Sequence, residues 1–206
     1  MYHGEKFNSV THLVGSALSI AGLSILVTLA AQQGDPWKVL SFSIYGVTLV
    51  MLYCFSTIFH SIRSPRAKAI LQKLDHNAIY LLIAGSYTPI ALITLRGPWG
   101  WTLFGLSWCL ALFGIVQELT LGRHTRRLSM ILYVLMGWLV LIAIKPLTQA
   151  MPAGGMGWLV AGGIVYSAGI YFYLNDAKVR HYHGIWHLFV LGGSLCHFMC
   201  FLLYVA

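Results

Sequence analysis

HGIWHLFVLGGSLCHFMCFLLYVA, residues 183–206, closes the chain with a run that contains no Lys, Arg, Asp or Glu. A helix of that length rises about 36 Å at 1.5 Å per residue, enough to cross a hydrocarbon core of roughly 30 Å. The run is oily but not inert, because His183, His187 and His197 lie within it. Polar side chains inside a membrane are costly and usually have a specific partner. The stretch therefore raises two questions: how many such spans the chain has, and what its histidines face.

The rest of the chain repeats the pattern. Of 206 residues, 58% are hydrophobic and 9% charged, and the mean hydropathy is +0.76. That leaves too little polar surface for a water-soluble domain. Apolar runs predict seven spans, at 10–31, 39–62, 75–95, 99–121, 128–148, 157–174 and 184–206. QQGDPW, RGPWG and PAGGMG read as Gly/Pro turns, each beside a Trp suited to the membrane interface. The connections are too short for a second domain, so the expected fold is one all-α, seven-transmembrane-helix bundle. Small residues in the first and sixth spans predict close helix contacts. The first run exceeds the apolar core of a signal peptide and leads directly into another span, so it reads as a retained helix. Pro89 frees the Gly85 carbonyl and predicts a bend in the third span.

Charge sets the expected orientation. Ten of the thirteen basic residues fall on the side shared by the N-terminus and alternate connections, and three on the other. This bias predicts a cytosolic N-terminus and an external C-terminus. The formal charge of +8 resides largely in short loops beside the membrane, without a nucleic-acid-binding module. Anionic lipid heads are the simpler partner, and nucleic acid is not expected. Cys54, Cys109, Cys196 and Cys200 lie in apolar spans with no CxxC pair and read as reduced, packed thiols.

On this topology Ser56, His60, Asp75, His183 and His187 share the cytosolic third of the bilayer. Ser56 precedes His60 by one turn, and the i,i+4 spacing puts His183 and His187 on one face. Three imidazoles suit Zn(II), whose catalytic sites leave the fourth position open. Asp75 is placed to orient a ligand or accept a proton. The same residues also admit ordinary readings: histidines bonded to interfacial loops, Asp75 capping the third span, and Ser56 bonded to its own helix.

Asn8 and His12, at the entrance of span one, are expected either to support the site or to make local cap and helix contacts. His76 points about 100° away from Asp75 around the helix, and His197 lies about 15 Å deeper than His187, too far to share an ion. Glu118 either lines the cavity near the site or pairs with Arg123 or Arg126. His3, His124 and His181 read as interfacial.

The SxxxH of residues 56–60, LDHNAIYLLIAGSYTP at 74–89 and HGIWHLFVLGGSLCHF at 183–198, with EKFNSVTH at 5–12, resemble the signature regions of the hemolysin III family. This bacterial branch is similar to the adiponectin and progestin receptors and to a wider class of membrane hydrolases that includes alkaline ceramidases. The resemblance implies a seven-helix protein of the bacterial cytoplasmic (inner) membrane with a zinc near its inner side. It places His60, His183 and His187 as zinc ligands, Asp75 as the acid beside the metal, and Ser56 one turn before the first ligand. The activity implied is zinc-dependent hydrolysis of a lipid amide, ceramide-like, or of an ester. The alternative is a non-catalytic, zinc-stabilised membrane sensor or homeostasis protein. Membrane lipids are the partners in either case.

Overall fold

The computed structural model describes residues 4–121 and 126–206, almost all of them helical. The helices are α1 (Lys6–Gln33), α2 (Pro36–Ser61), α3 (Pro65–Pro89), α4 (Pro98–Leu121), α5 (Arg126–Gly137), α6 (Ile144–Ala150), α7 (Ala153–Leu174) and α8 (Tyr182–Tyr204). Among the described residues, seven helical segments are long and apolar enough to cross a membrane, with α5 and α6 combining into one span.

The turns work as their residues dictate. α1 ends at Gly34, whose φ of +68° suits a residue without Cβ, and the Gly34 amide reaches the Ala31 carbonyl. The Asp35 carboxylate then accepts from the Trp37 and Lys38 amides at the start of α2, with Pro36 in the first turn. Together these reverse the chain within three residues.

Two spans differ from the sequence reading. The third helix starts at Pro65, not near residue 75, so Asp75 sits ten residues inside it. Asp75 therefore caps nothing. Arg66, Lys68 and Lys73 delay the rise in hydropathy, but Arg and Lys favour helix, and the backbone winds on past the apolar boundary. Beyond Pro89 the chain continues as a π-turn over Ile90–Thr94, with the Leu95 amide bonded to the Ile90 carbonyl at 2.9 Å. The fifth span, expected as one helix, breaks after Gly137 and passes through a 3-10 turn, Leu139–Ala143, before α6. Tyr87 of α3 makes this possible. Its hydroxyl donates to the Gly137 carbonyl at 3.1 Å and accepts from the Val140 amide at 2.9 Å. Backbone groups that lost their helical partners are thus satisfied inside the bundle.

α1 packs on α2 and α8, α2 on α3, α3 on α4 and α5, and α7 on α8. The buried face of α1 is small and polar, including Ser9, His12, Gly15, Ser16, Ser19 and Gly22, while Leu13, Val14, Leu18 and Ile20 face outward. This inversion suits a lipid surround, where close backbone approach rather than hydrophobic exclusion holds helices together. Between α5 and α7 the packing is thin, bridged by the Trp138 indole donating to Ser167 Oγ at 3.1 Å. Behind that bridge lies a cavity of about 190 Å³. Its lining is mostly apolar, and Asp75 and His12 border it at the end of the bundle where the N-terminus lies. All four cysteines are free thiols.

Candidate metal centre

His60 comes from the last turn of α2, and His183 and His187 from the first turns of α8. The structure brings them together although 120 residues separate the two helices in sequence. Ring centroids are 5.0 Å apart for His60–His183, 5.1 Å for His60–His187 and 4.8 Å for His183–His187. One ring nitrogen of each lies within 4.8 Å of the other two.

The remaining nitrogens are spoken for. His60 Nδ1–H donates to Glu5 Oε2 at 2.6 Å, and His183 Nδ1–H donates to Asp176 Oδ2 at 2.8 Å. His187 Nδ1–H is shared between Thr11 Oγ1 and the Asn8 carbonyl, each at 3.2 Å. Thr11 can accept there because its hydroxyl proton goes to the Phe7 and Asn8 carbonyls. Each ring thus presents Nδ1–H to its partner, and in its neutral form carries the lone pair on Nε2. All three Nε2 atoms are buried and have no hydrogen-bond partner. Three converging lone pairs with no donor are a poor fit to a protein interior but a good one to a cation, and outer carboxylates and carbonyls on Nδ1 are how metal-binding imidazoles are held.

The outer partners have their own supports. Glu5 occupies the N-cap position of α1 without capping it. Its carboxylate instead accepts from His60, from Asn8 Nδ2 at 2.8 Å and from Lys68 Nζ at 3.3 Å. The His60 hydrogen bond chiefly holds the Glu5 carboxyl down at about 2, against the opposing effect of partial burial, with Asn8 and Lys68 assisting. Asp176 is carried back to His183 by the turn between α7 and α8. That turn ends at His181, whose φ of +69° is uncommon for a residue with a side chain.

Asp75 lies beside this cluster. Ser56 Oγ hydrogen-bonds its carboxylate, and His60 and His183 are close enough to act on it electrostatically. Asp75 also borders the apolar cavity. Asn8 touches the site twice, through its carbonyl and through Glu5. His12 stacks on His187 with centroids 3.5 Å apart. Glu118 goes elsewhere: it accepts from His76 Nδ1 at 3.0 Å and from Ser129 Oγ at 2.8 Å, between α3, α4 and α5. Arg123, His3 and His124 lie outside the described residues, as does the Arg126 side chain. Glu5, Thr11 and Asp176 are the partners sequence reasoning missed. A signal was present, because the chain has only five acidic residues and four of them sit at this end of the bundle.

Seven apolar helices with a buried tri-histidine cluster near one end define a multi-pass membrane protein with a site able to coordinate a metal ion. The chain belongs to the haemolysin-III related family, whose match covers residues 1–198. It is 48% identical over 201 residues to Hemolysin-3 of Bacillus cereus, covering 98% of this chain and 91% of that one. Against the Hemolysin-3 homolog of Bacillus subtilis (strain 168) the identity is 46% over 200 residues, covering 97% and 93%. At lower identity, 26% over 196 residues, it is similar to the human monocyte to macrophage differentiation factor, covering 93% of this chain and 80% of that one.

Proposed function

We propose that His60, His183 and His187 hold Zn(II), and that the chain works as a zinc-stabilised membrane sensor or homeostasis protein. The observation that carries this reading is the set of three buried Nε2 atoms with no hydrogen-bond partner, converging while each Nδ1 is already bonded. A metal held there would join the end of α2 to the start of α8. Through Glu5, Asn8 and Thr11 it would also fasten the start of α1. Charge bias supports a cytosolic N-terminus, and likeness to the two Bacillus relatives supports the bacterial cytoplasmic membrane.

A second reading, zinc-dependent hydrolysis of a ceramide-like lipid amide or an ester, is favoured by one further observation. Asp75 borders both the cluster and the apolar cavity, with Ser56 bonded to it. Bound zinc would supply Lewis-acid polarisation of a carbonyl. Asp75 would accept a proton, Ser56 would hold that carboxylate in place, and the cavity would take the acyl chain and keep water away from it. Detergent-purified protein separates the two readings. Chelation should lower its melting temperature in either case. Mass-spectrometric product formation from a panel of lipid amides and esters, abolished by Asp75→Asn in zinc-loaded folded protein, would select the hydrolase. No product from the unchanged protein supports the sensor. A melting temperature indifferent to chelation would overturn the zinc brace.

A further inference from the structure

At the end of the bundle opposite the tri-histidine cluster, the turn between α1 and α2 meets the connection from α3 to α4. Between them lies a second pocket, of about 200 Å³, lined by Trp37, Ala91, Leu92, Arg96, Gly97 and Trp101. Two glycines shape it. The π-turn after Pro89 brings Ala91 against the start of α4, where a Cβ on Gly100 would strike the Ala91 carbonyl. Gly97, at a φ of +99°, turns the chain into α4.

Arg96 is held in place rather than trailing into solvent. Its Nε–H donates to the Leu92 carbonyl at 3.4 Å, and Nη2 donates to Asp35 Oδ2 at 3.3 Å. Among the described residues Nη1 has no partner, and the side chain is 56% exposed, so a ligand can reach it. The other polar side chains of the lining are Trp37 and Trp101, whose rings meet edge to face at 6.1 Å. Arginine and tryptophan side chains only donate, so the lining offers donors and no side-chain acceptor. Asp35, the one acid at this end, is already engaged by the Trp37 and Lys38 amides and by Arg96. Against it stand Lys38, Arg96 and Lys145, a surplus of two positive charges. Donors without acceptors, in positive surroundings, suit an anion.

Depth narrows the choice of anion. The first and third spans end at this level and the second and fourth begin there. Exposed indoles belong at the headgroup region of a bilayer, where lipid phosphates lie. We propose that the pocket binds the phosphodiester of an anionic glycerophospholipid. Arg96 Nη1 donates to one phosphate oxygen, the Trp101 indole N–H donates to another, and the acyl chains run along the outer surface of the bundle. The planar fork of arginine fits this task, because two of its nitrogens are anchored while the third faces the ligand. The site lies apart from the apolar cavity and does not depend on zinc.

The test titrates the full-length, detergent-purified chain with dioleoylphosphatidylglycerol by native mass spectrometry, with the melting temperature reporting on folding. Arg96→Gln should weaken the first bound lipid about tenfold, the loss of one charge-assisted hydrogen bond. Arg66→Gln, which removes an exposed arginine from the opposite end, should leave it within about twofold. Dioleoylglycerol, which lacks the phosphate, should bind the unchanged chain and Arg96→Gln alike, and excess inorganic phosphate should not displace the phospholipid. If Arg96→Gln does not fold, two indoles decide: Trp101, 54% exposed, lines the pocket, and Trp99, 46% exposed, does not. Trp101→Leu should weaken phosphatidylglycerol about threefold, as loss of a neutral hydrogen bond does, and Trp99→Leu should leave it unchanged. Equal losses from the two arginines, or from the two indoles, overturn the site, as does an Arg96→Gln variant that binds normally. Displacement by inorganic phosphate overturns the assignment to a lipid.

Discussion

Two polar clusters occupy the same end of this bundle, and they solve burial in opposite ways. In the cluster of His76, Glu118, Ser129 and Gln117, the ionisable groups satisfy one another. Glu118 accepts from both His76 and Ser129, and the His76 carbonyl accepts from Tyr133. In the cluster of His60, His183 and His187, the outer nitrogens are satisfied while the inner three have no hydrogen-bond partner. A closed network braces helices α3, α4 and α5. An open, convergent one leaves three acceptors unmet and is suited to a cation. Histidine count and burial do not distinguish the two; the direction of the unmet lone pairs does.

Substitutions can break this contrast. The largest effect is expected at the ligands: His60→Ala, His183→Ala or His187→Ala should each remove most of the zinc from purified protein, measured by elemental analysis, while His76→Ala retains it. Next come the outer carboxylates. Glu5→Gln and Asp176→Asn should weaken zinc about 10- to 100-fold in competition with a chelator, because each releases an imidazole from its orientation. Glu118→Ala should leave zinc affinity unchanged but destabilise the fold by about 1–3 kcal/mol, since His76 loses its acceptor while Ser129 keeps only Gln117 Oε1. Chemical denaturation in mixed micelles would measure it. Asp75→Asn should have little effect on zinc content, because its bonded partner is Ser56 rather than a ligand nitrogen. Equal zinc loss in His76→Ala and His60→Ala would erase the distinction between the clusters.

Much of this was readable in the sequence for a physical reason. Span length is set by bilayer thickness, so seven apolar runs yielded seven spans, and span order assigned His60, Asp75 and His183 to one depth. The failures have equally specific causes. Hydropathy marks where a helix enters hydrocarbon rather than where its hydrogen bonds begin, so the three turns of α3 before Asp75 were missed. The break after Gly137 depends on Tyr87, fifty residues earlier in the chain. The partners Glu5 and Asp176 lie outside the apolar runs, and their approach to the histidines depends on tertiary contacts and on the left-handed turn at His181. Spacing on a single helix cannot reveal such contacts.

Zinc K-edge X-ray absorption of the unchanged, detergent-purified protein tests the central claim most directly. The tri-histidine site predicts stoichiometric zinc with about three imidazole nitrogens at about 2.0–2.1 Å and no sulfur. Sulfur scatterers at about 2.3 Å, or folded protein that takes up no zinc, would contradict it.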